Sequence, residues 1–366
     1  MFDTKGVCYP VRFADYQRNS FVPLEPRVAG TLAWSKGWFE INPRLQIIPQ
    51  DLLLSGRYVG IRAGTVLLLL DDRGTFVRSA AIGENTPVVF GGKTFACLNQ
   101  SFLLEYTDFD GTPRLEMKEF PAMGAFTRLI LFRPTENDFL AATHFTGGPR
   151  RETPHFSIYR MKIEEVDRQW SYGGDGGLDQ VLLTSDEKTL VMVRENQVTT
   201  FNAENGAITG GFETGYTDLL SASLDLEDNA VMIGRTDSGG WALKKTDLTG
   251  WEIWEHNLSG PKSFQPPACG PDDRVYVADG IKVICLAGGK TLWEKIFPGG
   301  HPLITIGAGN AAVVLDGGTL YVLDAAGETS ARLALTESGE TFEAAPVIDA
   351  GGRIFVAGAE RLYCVE

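Results

Sequence analysis

Four histidines are the first candidates for proton transfer in this chain, because the ordinary pKa of histidine lies near neutral pH. They are His144, His155, His256 and His301. His144 and His155 flank the longest interruption between predicted strands, TGGPRRETP, which contains the basic pair Arg150 and Arg151. Long loops on rigid scaffolds often carry sites, and paired arginines could bind an anion there. The simpler interpretation is an exposed hairpin with surface arginines.

Acidic residues form a second pattern, because one follows the second predicted strand in each of the last four repeats. They are Asp237, Asp279, Asp316 and Glu360. Equivalent turns of a repeat lie on one face, so these carboxylates could form an acidic arc that attracts a basic partner or a cation. Aspartate close to glycine is also a preferred hairpin turn, which is the alternative explanation for the three aspartates.

Cysteine chemistry is not indicated by the spacing of the five cysteines. They are Cys8, Cys97, Cys269, Cys285 and Cys364. None is adjacent to another or part of a C-x-x-C motif, which argues against a zinc site and a disulfide framework. No Ser-His-Asp arrangement, pair of catalytic carboxylates or phosphate-binding glycine loop is indicated either. We therefore expect buried thiols in a reducing compartment and no catalytic residue of these kinds.

The elements that must position these residues are short strands. Runs of five to eight residues, rich in Val, Ile, Tyr and Leu, are separated by Asp-Gly or Gly-Gly turns, as in RVYVADG followed by IKVICLAGG. This pattern predicts strands joined by hairpins. The second strands can be aligned at Tyr58, Phe95, Phe139, Leu190, Val231, Tyr276, Val313 and Phe355. They recur about every 42 residues, which is the length of a four-stranded propeller blade.

The repeats predict an all-β fold, an eight-bladed β-propeller of four-stranded blades, with seven blades as the alternative. The last repeat stops after its third strand, and TLAWSKGWFEI lies before the first complete repeat. Residues 31–41 are therefore expected to complete the last blade, which would leave no open edge at the closure. We expect one propeller over residues 29–366. Residues 1–28 form an aromatic-rich extension that either folds back on the propeller or docks on a partner.

A turn motif follows the third strand of several repeats, Leu-Asp-x-x-Gly with an aromatic residue further on. It occurs at Leu70–Gly74 and Leu323–Gly327, with a longer version at Phe201–Gly206. With this motif the chain resembles the quinoprotein-like, or PQQ-like, repeat family of β-propellers. That family includes quinoprotein alcohol dehydrogenases and the propeller lipoprotein of the outer-membrane β-barrel assembly machinery. The resemblance is clearest over residues 265–366.

The resemblance implies specific features that can be sought in the chain. A quinoprotein enzyme of the family should have a calcium-binding Glu/Asn/Asp set, a catalytic Asp and, commonly, adjacent cysteines. This chain has no adjacent cysteines, and its aspartates are explained by turn chemistry. Pyrroloquinoline quinone and calcium are therefore disfavoured, and no cofactor or metal is expected. The resemblance also implies that Trp170, Trp254 and Trp293 pack between neighbouring blades.

Composition limits the partners. The formal net charge is −14, which argues against nucleic acid and against a membrane surface bound through basic residues. No apolar run is long enough to span a membrane, and no signal peptide is visible. The chain as written is expected in the cytoplasm, or in the periplasm or outside the cell if a leader has been removed.

These patterns favour a non-catalytic scaffold that mediates protein–protein interaction, with an unidentified protein partner, as a subunit of a larger complex. Two other functions remain open. One is an enzyme with a site at the channel mouth, either a divergent quinoprotein oxidoreductase or a hydrolase near His144. The other is a propeller that binds a carbohydrate or another small molecule through exposed aromatic residues.

Overall fold

The structure of the chain is a computed structural model. It describes residues 22, 24–26, 31–41, 49–55, 57–83, 88–91, 94–98, 104–117, 127–134, 138–145, 155–162, 168–175, 178, 180–261, 265–336 and 339–366. Over these residues the chain is almost entirely β-strand, with one helical turn, α1 (Trp38–Ile41), and one 3-10 turn (Ala308–Asn310). Neither of these two described helical turns approaches the length needed to cross a bilayer.

The first four sheets follow in chain order, each with four antiparallel strands. Sheet one contains β2 (Asp51–Ser55), β3 (Tyr58–Ala63), β4 (Val66–Asp71) and β5 (Phe76–Ala81), and sheet two contains β6 (Val89–Gly91), β7 (Thr94–Leu98), β8 (Leu104–Asp108) and β9 (Pro113–Met117). Sheet three contains β10 (Thr127–Pro134), β11 (Asp138–Phe145), β12 (His155–Lys162) and β13 (Arg168–Asp175), and sheet four contains β14 (Gln180–Leu183), β15 (Thr189–Arg194), β16 (Gln197–Asn202) and β17 (Ile208–Glu213).

The remaining sheets repeat this pattern. Sheet five contains β18 (Asp218–Leu224), β19 (Ala230–Arg235), β20 (Trp241–Thr246) and β21 (Glu252–Leu258), and sheet six contains β22 (Ala268–Gly270), β23 (Arg274–Asp279), β24 (Lys282–Ala287) and β25 (Lys290–Ile296). Sheet seven contains β26 (Leu303–Ile306), β27 (Ala312–Asp316), β28 (Thr319–Leu323) and β29 (Thr329–Ala334), and sheet eight contains β30 (Val347–Ile348), β31 (Ile354–Ala357), β32 (Arg361–Val365) and β1 (Leu32–Gly37).

The sheets are arranged around a common centre. Their first strands contact one another in succession from sheet one to sheet seven, and the first strand of sheet eight contacts that of sheet one. Between sheets seven and eight, the Thr305 hydroxyl donates to the Pro346 carbonyl at 2.6 Å. The first strand of each sheet is therefore innermost and the fourth is outermost. The predicted all-β propeller of four-stranded sheets is confirmed.

Sheet eight joins the two ends of the described chain. β1 pairs antiparallel with β32, so that Trp34 lies opposite Cys364 and Gly37 lies opposite Arg361. The backbones of Thr31 and Glu366 exchange two further hydrogen bonds, of 3.1 and 3.0 Å. The segment expected to supply the missing outer strand therefore occupies that position.

An aromatic residue on the outer strand packs against the next sheet at several places. The Trp293 indole donates to the Ala325 carbonyl at 3.3 Å. A Cβ on Gly327 would lie 2.7 Å from the same indole, so only glycine fits at this turn, where φ is +82°. Equivalent pairs are Trp34 with Gly74, Trp170 with Gly206, and Trp254 with Gly289. The packing implied for the three tryptophans is confirmed, and Trp34 extends it to β1.

The core lies between the sheets and involves mainly their first three strands. In sheet one every residue of β2 is buried, and so are the central residues of β3 and β4, whereas β5 alternates between exposed and half-buried positions. The continuous apolar runs in β3 and β4 reflect strands that are covered on both faces by neighbouring sheets.

The described part of the N-terminal extension lies on sheets seven and eight. The backbone N–H of Val22 donates to the Ile306 carbonyl at 2.7 Å, and the N–H of Ala308 donates to the Leu24 carbonyl at 2.8 Å. The Val22 side chain is buried in the core beside sheet eight. A Cβ on Gly307 would lie 2.7 Å from the Leu24 carbonyl, so this contact needs glycine. These residues fold back on the propeller, and residues 1–21 lie outside the described part.

We expect slow alkylation of four cysteines in the folded protein. Cys97, Cys269, Cys285 and Cys364 are buried thiols. Burial raises the pKa of Cys285 to about 11 and that of Cys364 to about 12, so little thiolate is present at pH 8. Iodoacetamide at pH 8, followed by peptide mass spectrometry, should label these four only after unfolding. Rapid labelling of Cys285 or Cys364 in the native protein would contradict their burial.

Candidate functional site

The two central residues of the expected acidic arc are buried. Asp279, at the end of β23, accepts hydrogen bonds of 2.8 Å from the backbone N–H groups of Ser259 and Gly260. Asp316, at the end of β27, accepts one of 2.7 Å from the N–H of Gly299. In both cases the carboxylate fixes the connection that enters its own sheet. These two side chains are therefore used inside the fold and are not part of an exposed surface.

The outer residues of the arc are exposed but lie in different sheets. Asp237 is in the turn between β19 and β20 of sheet five, and Glu360 is in the turn between β31 and β32 of sheet eight. Because Asp279 and Asp316 are buried, the four carboxylates do not form one continuous exposed surface, and a role of Asp237 and Glu360 in binding a partner remains a prediction. The sequence reasoning missed Glu340, whose buried carboxylate accepts hydrogen bonds from the N–H groups of Glu360 and Arg361 and from the Tyr363 hydroxyl.

Of the candidate residues at the long loop, the structure describes the strand positions of the two histidines. His144 lies on β11 opposite Phe156, and His155 lies on β12 opposite Phe145, so the two histidines are not cross-strand partners. Arg150 and Arg151 lie outside the described residues. The anion site at this loop remains a prediction.

Polar side chains near the innermost strands link adjacent sheets. The Gln265 side chain forms two hydrogen bonds with the backbone of Ile304, of 2.5 and 3.0 Å. Gln180 accepts from the N–H of Ala222 at 2.8 Å, and the Ser223 hydroxyl donates to the Pro267 carbonyl at 2.9 Å. Each of these contacts joins one sheet to the next. The polar groups beside the centre therefore stabilise the ring.

A buried lysine joins sheets five and six at the face that carries the turns between first and second strands. The Lys245 ammonium forms ion pairs with Asp225, at 2.6 Å, and with Asp273 of the next sheet. Burial lowers the pKa of Lys245, but its hydrogen bonds to these two carboxylates outweigh that effect and raise it overall. An adjacent cavity of about 60 Å³ is also lined by Glu227, Asp272 and Arg274. The lysine charge is already neutralised by its partners.

A calcium–quinone centre needs side chains clustered around the metal and the quinone. No group of three or more His, Cys, Asp or Glu side chains in the described part of the chain could hold a metal ion. The described cysteines lie in four different strands and none is adjacent to another in sequence.

The outer strands of sheets four to six expose large apolar side chains. We call this set the apolar rim; it comprises Ile208 (57% exposed), Trp251 (74%), Ile253 (45%), Leu292 (50%) and Ile296 (60%). Ile208 lies on β17, Ile253 on β21, and Leu292 and Ile296 on β25, while Trp251 directly precedes β21. These five side chains lie on or beside the outer strands of three neighbouring sheets, which makes them candidates for a contact with another molecule. The sequence alone could not identify these residues, because the same apolar residue types also occupy the buried positions of the strands.

Comparisons with known proteins agree with the resemblance seen in the sequence. A family model described as outer membrane protein assembly factor BamB matches residues 239–366, about a third of the chain. No curated protein matches the chain. The crystal structure of BamB from Moraxella catarrhalis is similar with a TM-score of 0.59 at 18% identity, covering 91% of this chain and 96% of that chain.

Two further structures share the fold. The quinohemoprotein alcohol dehydrogenase from Comamonas testosteroni has a TM-score of 0.65 at 13% identity, covering 98% of this chain and 80% of that chain. The computationally designed Ika8 protein has a TM-score of 0.64 at 14% identity, covering 88% of this chain and 96% of that chain. An assembly factor, an alcohol dehydrogenase and a designed protein thus share this architecture, so the fold alone does not select a function.

Proposed function

We propose that this chain, a propeller of the PQQ-like type, is a non-catalytic scaffold that binds a partner protein through its apolar rim. The observation that carries the proposal is the exposure of Ile208, Ile253, Leu292 and Ile296 on three successive outer strands, and of Trp251 directly before the second of them. Tryptophan is the residue type most enriched among energetically dominant interface positions. Trp251 is the most exposed large apolar side chain among the described residues and is expected to dominate the contact.

The use of the buried polar groups supports a scaffold over an enzyme. Gln180, Ser223, Gln265 and Thr305 bond to the backbone of the neighbouring sheet, and Lys245 is paired with two aspartates. A catalytic group needs a free functional atom at the substrate. These side chains instead hold the ring rigid, which is what a binding platform needs to present a fixed surface.

The compartment is also proposed. The four described cysteines are buried thiols, which supports a reducing compartment such as the cytoplasm. The matching family model is described as an outer membrane protein assembly factor, and a role like that one would require a location outside the cytoplasm. We therefore propose the cytoplasm as the compartment of this protein, with the periplasm or the cell exterior as alternatives.

The rim is tested by substituting two of its residues together, Trp251→Ser and Ile253→Thr. Loss of a central tryptophan costs about 2 kcal/mol or more, so affinity for the partner should fall about 30-fold. Tagged protein is cross-linked in cells, and captured proteins are quantified by mass spectrometry. The matched control is Phe76→Ser with Val77→Thr on the outer strand of sheet one, where both side chains are also exposed. Equal capture by both double variants would exclude the rim.

The enzyme alternative is examined with the same protein samples. A ligand at 100 times its Kd stabilises a folded protein by about 2.7 kcal/mol. Pyrroloquinoline quinone with calcium should leave the Tm unchanged if the chain is a scaffold. A clear rise in Tm would support the quinoprotein alternative and count against the proposed function.

A further inference from the structure

The outer strand of sheet four differs from the other outer strands in how it protects its edge. Unpaired edges pair with other chains unless proline, lysine, bulges or inward charges prevent it. Basic residues or proline occur in β1, β5, β9, β13, β25 and β29, and β21 carries Glu252 and Glu255, which are paired with Lys244. β17 reads ITGGFE, with no basic residue and no proline, and its one charge is at its end.

The backbone of β17 is open to solvent along most of its length. Five of its six residues are exposed, and Gly210 and Gly211 place no side chain beside the edge. The strand pairs with β16 and is the last strand of its sheet. A bulge at Thr209 interrupts the register, but equivalent bulges occur in the other outer strands, and Gly210–Glu213 continue in regular pairing. The segment of regular edge is therefore Gly210–Glu213.

The direction of the edge N–H groups follows from the pairing. The N–H of Thr214 donates inward to the Asn196 carbonyl at 2.7 Å. Successive backbone groups of a strand alternate in direction, so the N–H groups of Glu213 and Gly211 point away from β16. These are the groups that an added strand would use.

The charges around β17 indicate the kind of strand that would be added. Glu213 ends the strand, and Glu204 lies in the exposed turn at the other end. The Lys244 ammonium, which donates to the Thr214 carbonyl at 3.4 Å, is already paired with Glu252 and Glu255. A second copy of this chain, with a net charge of −14, would bring the same acidic ends into proximity. A basic segment gains attraction at both ends.

We infer that β17 is a docking edge for an extended segment of a partner protein that carries lysine or arginine at its ends. The inference rests on the proposed function, since β17 contributes Ile208 to the apolar rim. It adds main-chain pairing over Gly210–Glu213 and names the chemistry of the partner. The side chains of such a segment would alternate between the two faces of the extended sheet.

The probe is a fluorescein-labelled peptide, Lys-Thr-Val-Thr-Val-Thr-Lys, with an otherwise identical peptide that has glutamate at both ends. Fluorescence anisotropy should show binding of the basic peptide that weakens as salt increases, and about tenfold weaker binding of the acidic one. Hydrogen exchange should slow in residues 208–214 when the basic peptide is bound. Absence of binding by the basic peptide would overturn the inference.

Two proline variants separate edge pairing from general binding. Glu213→Pro removes an outward N–H and should weaken the basic peptide about tenfold. Ala334→Pro makes the same change at the equivalent position of β29, where the next residue, Leu335, donates to the Gly318 carbonyl at 2.9 Å. It should leave binding unchanged. Equal weakening by both variants, or by neither, would overturn the inference.

A charge variant covers the case in which Glu213→Pro does not fold. Glu213→Lys keeps the backbone and should weaken the basic peptide while it strengthens the acidic one. If Glu213→Lys still prefers the basic peptide over the acidic one to the same degree, the assigned chemistry of the partner is contradicted. If the native protein forms a concentration-dependent dimer that Glu213→Pro abolishes, the strand that docks on β17 comes from a second copy of this chain and not from a partner protein. If the peptide fails to bind while Trp251 still controls partner capture, the edge is excluded and the proposed function stands.

Discussion

Deleting residues 1–40 should yield a chain that aggregates and shows no cooperative melting. The deletion removes β1, so β32 becomes an open outer edge. It also removes the contact of Trp34 with Gly74, and Trp38, which is buried and donates to the Gly358 carbonyl at 3.0 Å. Losing a buried tryptophan costs about 3–5 kcal/mol. Together with the loss of the half-buried Trp34 and of the β1–β32 pairing, this approaches the whole stability of a typical protein, about 5–15 kcal/mol.

Shorter deletions serve as the controls for this result. Removing residues 1–21 leaves every described contact in place, so this variant is the reference for the longer deletions. Removing residues 1–26 also takes away Val22 and Leu24 with their hydrogen bonds to sheet seven, so a smaller loss is expected. Soluble yield, size-exclusion chromatography and thermal denaturation measure all three. A 1–40 deletion that melts like the 1–21 deletion would show that β1 is not needed for closure.

Replacing Lys245 with methionine should destabilise the fold by about 3–5 kcal/mol, because it leaves the buried Asp225 carboxylate, as well as the partly exposed Asp273, without their cation. Asp225 is held there by its own turn, since it accepts from the N–H groups of Glu227 and Asn229 at 2.9 and 2.8 Å. It cannot readily turn toward solvent. Denaturant unfolding, followed by fluorescence, measures the change.

The neighbouring lysine provides a matched control for the Lys245 variant. Lys244 pairs with the partly exposed Glu252 and Glu255 at 3.3 and 3.2 Å. Lys244→Met should cost about 1 kcal/mol or less, because exposed ion pairs contribute little. Equal losses of unfolding free energy for both variants would mean that the ion pairs of Lys245 between sheets five and six stabilise the fold no more than the exposed ion pairs of Lys244.

The pH dependence of the same pair of proteins has a definite sign. The pKa of Lys245 is raised above its ordinary value of 10.5 in the folded state. Its contribution is therefore fully present below that ordinary value and is lost as the pH rises through the folded-state pKa. The difference in unfolding free energy between the native protein and Lys245→Met should be constant through neutral pH and decrease only above about pH 10.5.

The architecture was accessible from the sequence because each repeat carries its own local signals. Turn glycines such as Gly327, and the tryptophan of the preceding sheet that packs on it, recur at regular spacing and need no knowledge of distant residues. The strand near Trp34 could be placed because the last repeat stops after its third strand and needs a fourth. The local sequence was sufficient to predict a residue's structural role wherever that role depends on its own repeat.

The site could not be predicted in the same way, because burial depends on segments from other repeats. Asp279 and Asp316 have the sequence of an exposed hairpin turn, yet the connection from the preceding sheet covers both. Lys245 and Asp273 are linked only when sheets five and six pack. The exposure of Trp251 likewise depends on which segments of the neighbouring sheets lie over its side chain. These contacts and exposures are defined only in the assembled ring of sheets.

The pairing of β1 with β32 also determines when the ring of sheets can close during synthesis of the chain. Thr31 and Glu366, which bond to each other, are 335 positions apart. A ribosome adds about 5–20 residues per second, so β1 waits roughly 20–70 s for its partner strand. Through that interval Trp34 and Trp38 have no completed sheet eight to pack against. The ring closes only after β32 has been synthesised, and until then the edge of β1 is open to pairing with other chains.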